Sequence, residues 1–240
     1  MIPKIIHYCW FGRGEMPELA LKCIESWHKY MPYWEYKLWN EDNFDVNSVP
    51  YVKEAYEARK FAFVSDYVRL VALEQYGGLY LDTDVEVFKP FDDLLAFQAF
   101  VGFEGSKRMP VGTCVIGTES HGRWAKEQLD SYGGRHFIME NGVYDLTANT
   151  AFITDNMIAR GFVADGKEKE YEDLHVFPVD YFCPRQTTGE YCQTENTYCD
   201  HLGLCSWCEK DVKGWKGQIL RAVGPKSRVR IIKLKRLLFG

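Results

Sequence analysis

The chain has 240 residues, 46% apolar and 26% charged, with a formal net charge of −5. That is the make-up of one soluble globular domain with a sizeable core, and no run approaches the ~18 apolar residues that a membrane span needs. Met1-Ile2-Pro3-Lys4-Ile5-Ile6-His7 enters a strand pattern at once, without the charged and apolar regions of a secretory leader. The expectation is a cytoplasmic protein whose eight cysteines carry no structural disulfides.

Lys4 to Trp10, apolar and β-branched, reads as a first strand that the loop Gly12-Arg13-Gly14 ends. Pro17 opens a helix that runs to about Tyr30. Trp34 to Trp39 alternates as a second strand, and the Asn- and Asp-rich stretch from Asn40 to Pro50 reads as loop. Tyr51 to Arg59 and Phe61 to Tyr76 are expected helices. In the second, Phe63, Tyr67, Leu70 and Leu73 recur at three- and four-residue spacing, and Gly77 suits the position just past its end. Leu79 to Leu81 follows as a strand. Strands near Ala99–Phe103 and Val111–Ile116, helices over Gly122–Tyr132 and Thr147–Arg160, and a short strand over His175–Phe177 complete the pattern. Residues 183–215 are the least regular part. Alternating strands and helices predict an α/β fold, a mostly parallel twisted sheet with helices on both faces. Ligands of such sheets sit beyond the carboxyl ends of the strands, where Trp10 and Asp82 fall.

The strand from Gly77-Gly78 through Leu81 ends in Asp82-Thr83-Asp84-Val85. Buried charge is expensive unless it is paired or bound to a metal. Two carboxylates released together at a strand's end suit a hard divalent cation, which takes oxygen ligands and keeps positions open for phosphate. Asp66 and Arg69, three apart, share a face of the preceding helix among Phe61, Phe63, Val64, Val68, Leu70 and Val71. A helix running straight into the acid-bearing strand brings both near the same crevice. Cys183, Cys192, Cys199, Cys205 and Cys208 crowd into one short stretch. Cys205 and Cys208 form a C-x-x-C that could join Cys192 and Cys199 in a zinc knot, but only one tight pair is present, and ordinary reduced thiols are the plainer expectation.

The block Ser65-Asp66-Tyr67-Val68-Arg69-Leu70, followed by Gly77-Gly78-Leu79-Tyr80-Leu81-Asp82-Thr83-Asp84, resembles the signature of family-32 sugar transferases with the DXD motif. That family includes yeast-type mannosyltransferases and bacterial capsular-polysaccharide transferases, and the signature is similar to that of the large clostridial glucosylating toxins. The opening from Ile2 to Gly12 and the pair Ser206-Trp207 resemble the family as well. The resemblance implies a GT-A fold over residues 1–209, a nucleotide-diphosphate-sugar donor, Mn²⁺ or Mg²⁺ on the diphosphate, and transfer with retention. By the same resemblance Trp10 stacks on the base, and Asp66, Arg69, Asp82 and Thr83 hold ribose and sugar. Asp84, with Asp82 and His201, ligates the metal, and Ser206 and Trp207 reach the diphosphate from a flexible loop. Thr147-Ala148-Asn149-Thr150 stands where the family often carries Thr-Gly-Pro, and Asn149 is the candidate donor of a hydrogen bond to the sugar. Asp66, Arg69, Asp82 and Asn149 are thus the expected catalytic set.

Charge is unevenly spread. Residues 210–240 hold ten Lys/Arg and one acid, leaving 19 basic and 33 acidic residues over 1–209, a net of −14. An acidic body argues against nucleic acid, whereas the tail, interleaving Ile231, Ile232, Leu234, Leu237, Leu238 and Phe239 with basic residues, suits contact through 225–240 with an anionic membrane surface. The expected function is a retaining, metal-dependent transfer of a hexose or N-acetylhexosamine, from a UDP-sugar in preference to a GDP-sugar. The expected acceptor is a lipid-linked glycan of capsule or other surface polysaccharide, at the inner face of the membrane. The alternatives are a nucleotide-sugar hydrolase or nucleotidyltransferase and, from another class, a zinc-stabilised binding module.

Overall fold

The computed structural model describes residues 1–105, 110–185 and 191–203. Strand β1 (Ile5–Cys9), helix α1 (Glu18–Tyr30) and strand β2 (Glu35–Trp39) form the first parallel unit. Helices α2 (Pro50–Glu57) and α3 (Phe61–Tyr76) then carry the chain back across the sheet to β3 (Gly78–Leu81), which pairs parallel with the other edge of β1. The crossovers on either side of β1 therefore run in opposite directions, which opens a crevice at the carboxyl ends of β1 and β3. Trp10 and Asp82 are the first residues past those two ends.

The remaining elements are β4 (Val85–Val87), a 3-10 turn (Asp92–Ala96), β5 (Ala99–Phe103), β6 (Val111–Thr118), α4 (Arg123–Asp130), α5 (Asn149–Ile158), β7 (Lys169–Tyr171), β8 (Leu174–Phe177), α6 (Val179–Phe182) and β9 (Cys199–His201). Seven strands form the main sheet in the order β2-β1-β3-β6-β5-β8-β7. Five run one way, and β6 and β7 run against them. The mostly parallel sheet expected from the sequence is the one observed, with β6 inserted antiparallel between β3 and β5. Short β4 and β9, neither of them predicted, pair separately as a two-stranded antiparallel ribbon.

Alternation along the strands feeds two apolar layers. Tyr80 packs on one face with Val64, Val68, Leu73, Trp124 and Ile153, the side of α3, α4 and α5. Leu79 and Leu81 pack on the other with Trp27, Met31, Phe91, Phe100 and Phe182, the side of α1 and α6. Helices thus cover both faces, as the pattern predicts. The turn between α3 and β3 needs its glycine pair. Gly77 and Gly78 have φ of 64° and 101°, and a Cβ would lie 2.5 Å from Ser120 N at the first and 2.5 Å from Ile5 O at the second. That close packing lets α3 feed directly into β3, so Asp66 and Asp82 end near each other.

Candidate active site

Asp66 and Arg69 do not form the exposed ion pair that their spacing most often makes. Asp66 is 9% exposed and Arg69 4%. Arg69 Nη2 donates to Asp66 Oδ1 at 2.7 Å and lies 3.4 Å from Asp82 Oδ1. Its Nη1 donates to the Thr113 carbonyl at 2.7 Å and its Nε to the Ser65 carbonyl at 3.3 Å, while the guanidinium carbon stands 4.5 Å from the centre of the Tyr80 ring. One planar cation therefore orders two carboxylates and anchors α3 to β6. Tyr80, two residues before Asp82 on the same strand face, donates its hydroxyl to Asp82 Oδ1 at 2.8 Å. Burial lifts the Asp66 carboxyl to about pKa 6, with Arg69 opposing and Asp82 adding to the shift.

Asp82 and Asp84 flank a tight turn in which Val85 N donates to Asp82 O, and Thr83 is half-buried between them. The β4–β9 ribbon does the rest. Its register sets Val85 opposite His201, which brings His201 Nε2 to 3.3 Å from Asp84 Oδ1. Leu202 N closes the ribbon on Asp84 O at 2.9 Å. Ligating atoms of Asp82, Asp84 and His201 lie within 4.8 Å of one another. Two carboxylates and one imidazole fit Mn²⁺ or Mg²⁺, ions that favour oxygen and tolerate an imidazole while leaving positions for phosphate. Burial disfavours the charged His201 ring, but Cys114 and Asp84 outweigh it and raise its pKa well above the ordinary histidine value.

Trp10 is set by its own loop. Its backbone N donates to Trp39 O at 2.9 Å and its indole N to Gly14 O at 2.6 Å, leaving the ring half-buried. The loop is pinned by Glu41 Oε1, which accepts from Gly12 N at 2.6 Å and from the Tyr56 hydroxyl at 3.0 Å. A groove lined by Gly12, Tyr56, Glu57, Arg59 and Phe61 opens there, and no member of the acid cluster lines it. Asn149 is the first residue of α5 and is buried. Its Oδ1 accepts from the Tyr132 hydroxyl at 3.0 Å, and its buried Nδ2 has no protein partner among the described residues.

Ser206, Trp207, Cys205, Cys208 and the whole basic segment 210–240 lie outside the described residues. Of the other two cysteines in the expected zinc knot, Cys192 donates to Pro184 O at 3.3 Å and Cys199 to Phe182 O at 3.5 Å. Neither belongs to a group of potential metal ligands among the described residues. Sequence reasoning missed Tyr80, Tyr132, Glu104, Cys114 and the sharing of Arg69 with Thr113. Tyr80 alone had a local signal, its period-two relation to Asp82.

Comparison with known proteins places the chain among sugar transferases. The family model for the glycosyltransferase sugar-binding region containing a DXD motif matches residues 17–101. Inositol phosphoceramide mannosyltransferase 3 of Schizosaccharomyces pombe is 35% identical over 104 residues, 42% of this chain and 29% of that protein. A mannosyl phosphorylinositol ceramide synthase of Saccharomyces cerevisiae is 30% identical over 116 residues, 47% of this chain and 29% of that protein. The chain thus spans less than a third of either yeast relative. An uncharacterized glycosyltransferase of Acanthamoeba polyphaga mimivirus is 26% identical over 85% of this chain and 87% of its own length. Among solved structures, a glycosyltransferase involved in the glycosylation of the major capsid of PBCV-1 superposes with a TM-score of 0.50 at 13% identity. It covers 97% of this chain and all of its own, and the shared architecture is the GT-A α/β fold.

Proposed function

We propose, from the match of residues 17–101 to the model for a glycosyltransferase sugar-binding region containing a DXD motif, that the chain moves a hexose or N-acetylhexosamine from a nucleotide-diphosphate sugar to a lipid-linked glycan acceptor, retaining the anomeric configuration. The observation that carries this reading is the convergence of Asp82, Asp84 and His201 beside the buried Asp66–Arg69 pair. Asp82, Asp84 and His201 would hold a divalent cation, Mn²⁺ or Mg²⁺, which when bound would supply Lewis-acid charge neutralisation at the diphosphate. Asp66, fixed by Arg69, accepts from donor-sugar hydroxyls. Asp82 and Thr83 line the ribose side, and Trp10 offers its face to the base. Asn149 Nδ2, buried without a protein partner among the described residues, is the donor aimed at the sugar. By the family resemblance, Ser206 and Trp207, which lie outside the described residues, would contact the diphosphate and exclude water, which would favour transfer over hydrolysis. The bond from the anomeric carbon to the diphosphate oxygen breaks, the bond to the acceptor oxygen forms on the same face, and the acceptor proton leaves with the diphosphate.

The names of the two yeast relatives speak of mannosyl transfer and of a ceramide, which supports a hexose and an acceptor borne on lipid. A basic, apolar segment at 225–240 suits docking at the inner face of a membrane, where such acceptors lie, and surface polysaccharide is the product class this implies. No helix among the described residues is long and apolar enough to cross a membrane.

The test is binding of UDP- and GDP-sugars, with and without Mn²⁺, to the wild type and to Asp84→Ala. One nucleotide binds in a Mn²⁺-dependent way, and the variant loses at least ~10-fold in affinity, as expected when a first-row ion loses a ligand. Binding of neither nucleotide, or binding indifferent to both Mn²⁺ and Asp84, overturns the reading.

A further inference from the structure

Against the DXD cluster stands a second group of ligating side chains, of which the proposed sugar transfer uses His201 alone. Glu104 follows β5, Cys114 lies within β6, Cys183 follows α6 and His201 ends β9. Their carboxylate oxygen, two sulfurs and ring nitrogen all lie within 4.8 Å of one another. Both thiols are buried, with Cys114 Sγ 3.4 Å from Cys183 Sγ. We propose that Glu104, Cys114, Cys183 and His201 form a four-coordinate site for zinc that adjoins the hard-cation site at Asp82 and Asp84 and shares His201 with it. The proposal stands whether or not the chain transfers sugar.

The donor sets are what separate the two sites. Thiolate and imidazole select zinc and related borderline ions, whereas paired carboxylates select magnesium and manganese. Tetrahedral zinc with bonds of about 2.0–2.3 Å sets neighbouring ligand atoms about 3.3–3.8 Å apart. The two sulfurs need to separate by only a few tenths of an ångström to meet that geometry, and the other pairs need to close by about 1.5 Å at most. Four protein ligands leave no open position, which marks a structural site rather than a catalytic one. Its effect would be mechanical. β9 is joined to β4 through the three-residue ribbon and packs against α6, with Cys199 buried in the core. A zinc ion would fasten His201 to β5, β6 and the end of α6, fixing the imidazole that also faces Asp84. The site differs from the knot suggested by spacing, which joined Cys192 and Cys199 to the C-x-x-C at Cys205 and Cys208, whereas here Cys183 lies against Cys114, 69 residues away.

The experiment uses the full chain, purified without chelator from zinc-supplemented medium. Zinc per chain is measured by mass spectrometry, and cobalt(II) is then exchanged in to read the sulfur-to-cobalt charge-transfer band. One zinc per chain and a thiolate band are expected in the wild type and in Asp84→Asn. Cys114→Ser and Cys183→Ser should each lose the zinc and most of the band. Should either serine variant fail to fold, Glu104→Gln keeps both sulfurs, so weakened zinc retention with the band preserved supports the site, and zinc held as tightly as in the wild type counts against it. Folded wild type with no zinc and no band overturns the proposal. So does a band that survives both serine variants, which assigns the metal to other cysteines, and so does zinc that vanishes in Asp84→Asn while the serine variants retain it.

Discussion

Arg69 faces two carboxylates, and removing it would leave Asp66 and Asp82 without their shared counter-ion. Breaking a buried pair from one side typically costs roughly 3–5 kcal/mol, because the charge left behind has lost both water and partner. Arg69→Ala should therefore lower unfolding free energy by about that amount in urea titration and raise the apparent pKa of Asp66 beyond its value of about 6. Arg69→Lys keeps the charge but loses the fork that reaches the Thr113 carbonyl and Asp66 together. It should recover part of the stability and little of the donor affinity. Equal donor affinity in wild type and Arg69→Lys would show that the fork does not order the site. Asp66, Arg69, Asp82 and Asp84 were legible in the sequence because local spacing encodes them, three residues on a helix and two at a strand's end. Glu104, Cys114 and Cys183 were not, since they meet only after β5, β6 and α6 are assembled, and no sequence period connects them. His201 was proposed from resemblance, and the residue that brings it to Asp84 is its ribbon partner Val85.

At the scale of elements, His7 joins three of them. Its Nε2–H donates to the Gly77 carbonyl at 2.8 Å, at the turn between α3 and β3, and its Nδ1 accepts from the Trp39 indole on β2 at 3.1 Å. Both bonds demand the neutral ring, and burial lowers its pKa from 6.5 to about 4. The sign follows from linkage: a depressed histidine stabilises the fold above its unfolded pKa and loses that contribution as pH falls toward the folded one. Asp66 acts oppositely, since its raised pKa favours the fold at low pH and costs stability as pH rises through about 6. The two windows overlap, so the wild-type profile alone hides both. The difference between wild type and His7→Gln isolates the first, because glutamine can donate and accept yet does not titrate. The wild-type advantage should shrink by on the order of 3 kcal/mol between about pH 7 and about pH 4; parallel profiles would mean that His7 is not held neutral. The long elements here were legible because apolar periodicity runs for two or more turns, as in α3. β4 and β9, three residues each, carry too little pattern to be read, and they pair only because the intervening chain folds back.

At the scale of the whole molecule, a body of net −14 carries a tail of net +9. An anionic membrane repels the first and attracts the second, so a docked chain would meet the surface tail first with its acidic face turned away. On such docking the tail's apolar residues would add burial in the headgroup layer, but the attraction that would bring them there is electrostatic and falls off within about 10 Å at 0.1 M salt. Each basic residue near such a surface contributes about 1 kcal/mol. Changing Arg228, Arg230, Lys233, Lys235 and Arg236 to Gln should therefore weaken binding to vesicles containing anionic lipid by more than ~10-fold, and ending the chain near Val223 should abolish flotation with them. Raising the salt should mimic the substitutions in the wild type, and neutral vesicles should bind weakly throughout. Nucleotide-sugar binding should be unchanged in the five-residue variant, since the donor site is built from residues before 208. Flotation that is indifferent to salt and to lipid charge would instead mean that burial of Ile231, Ile232, Leu234 and Leu237 drives the docking, and the charge asymmetry would then bear on solubility alone.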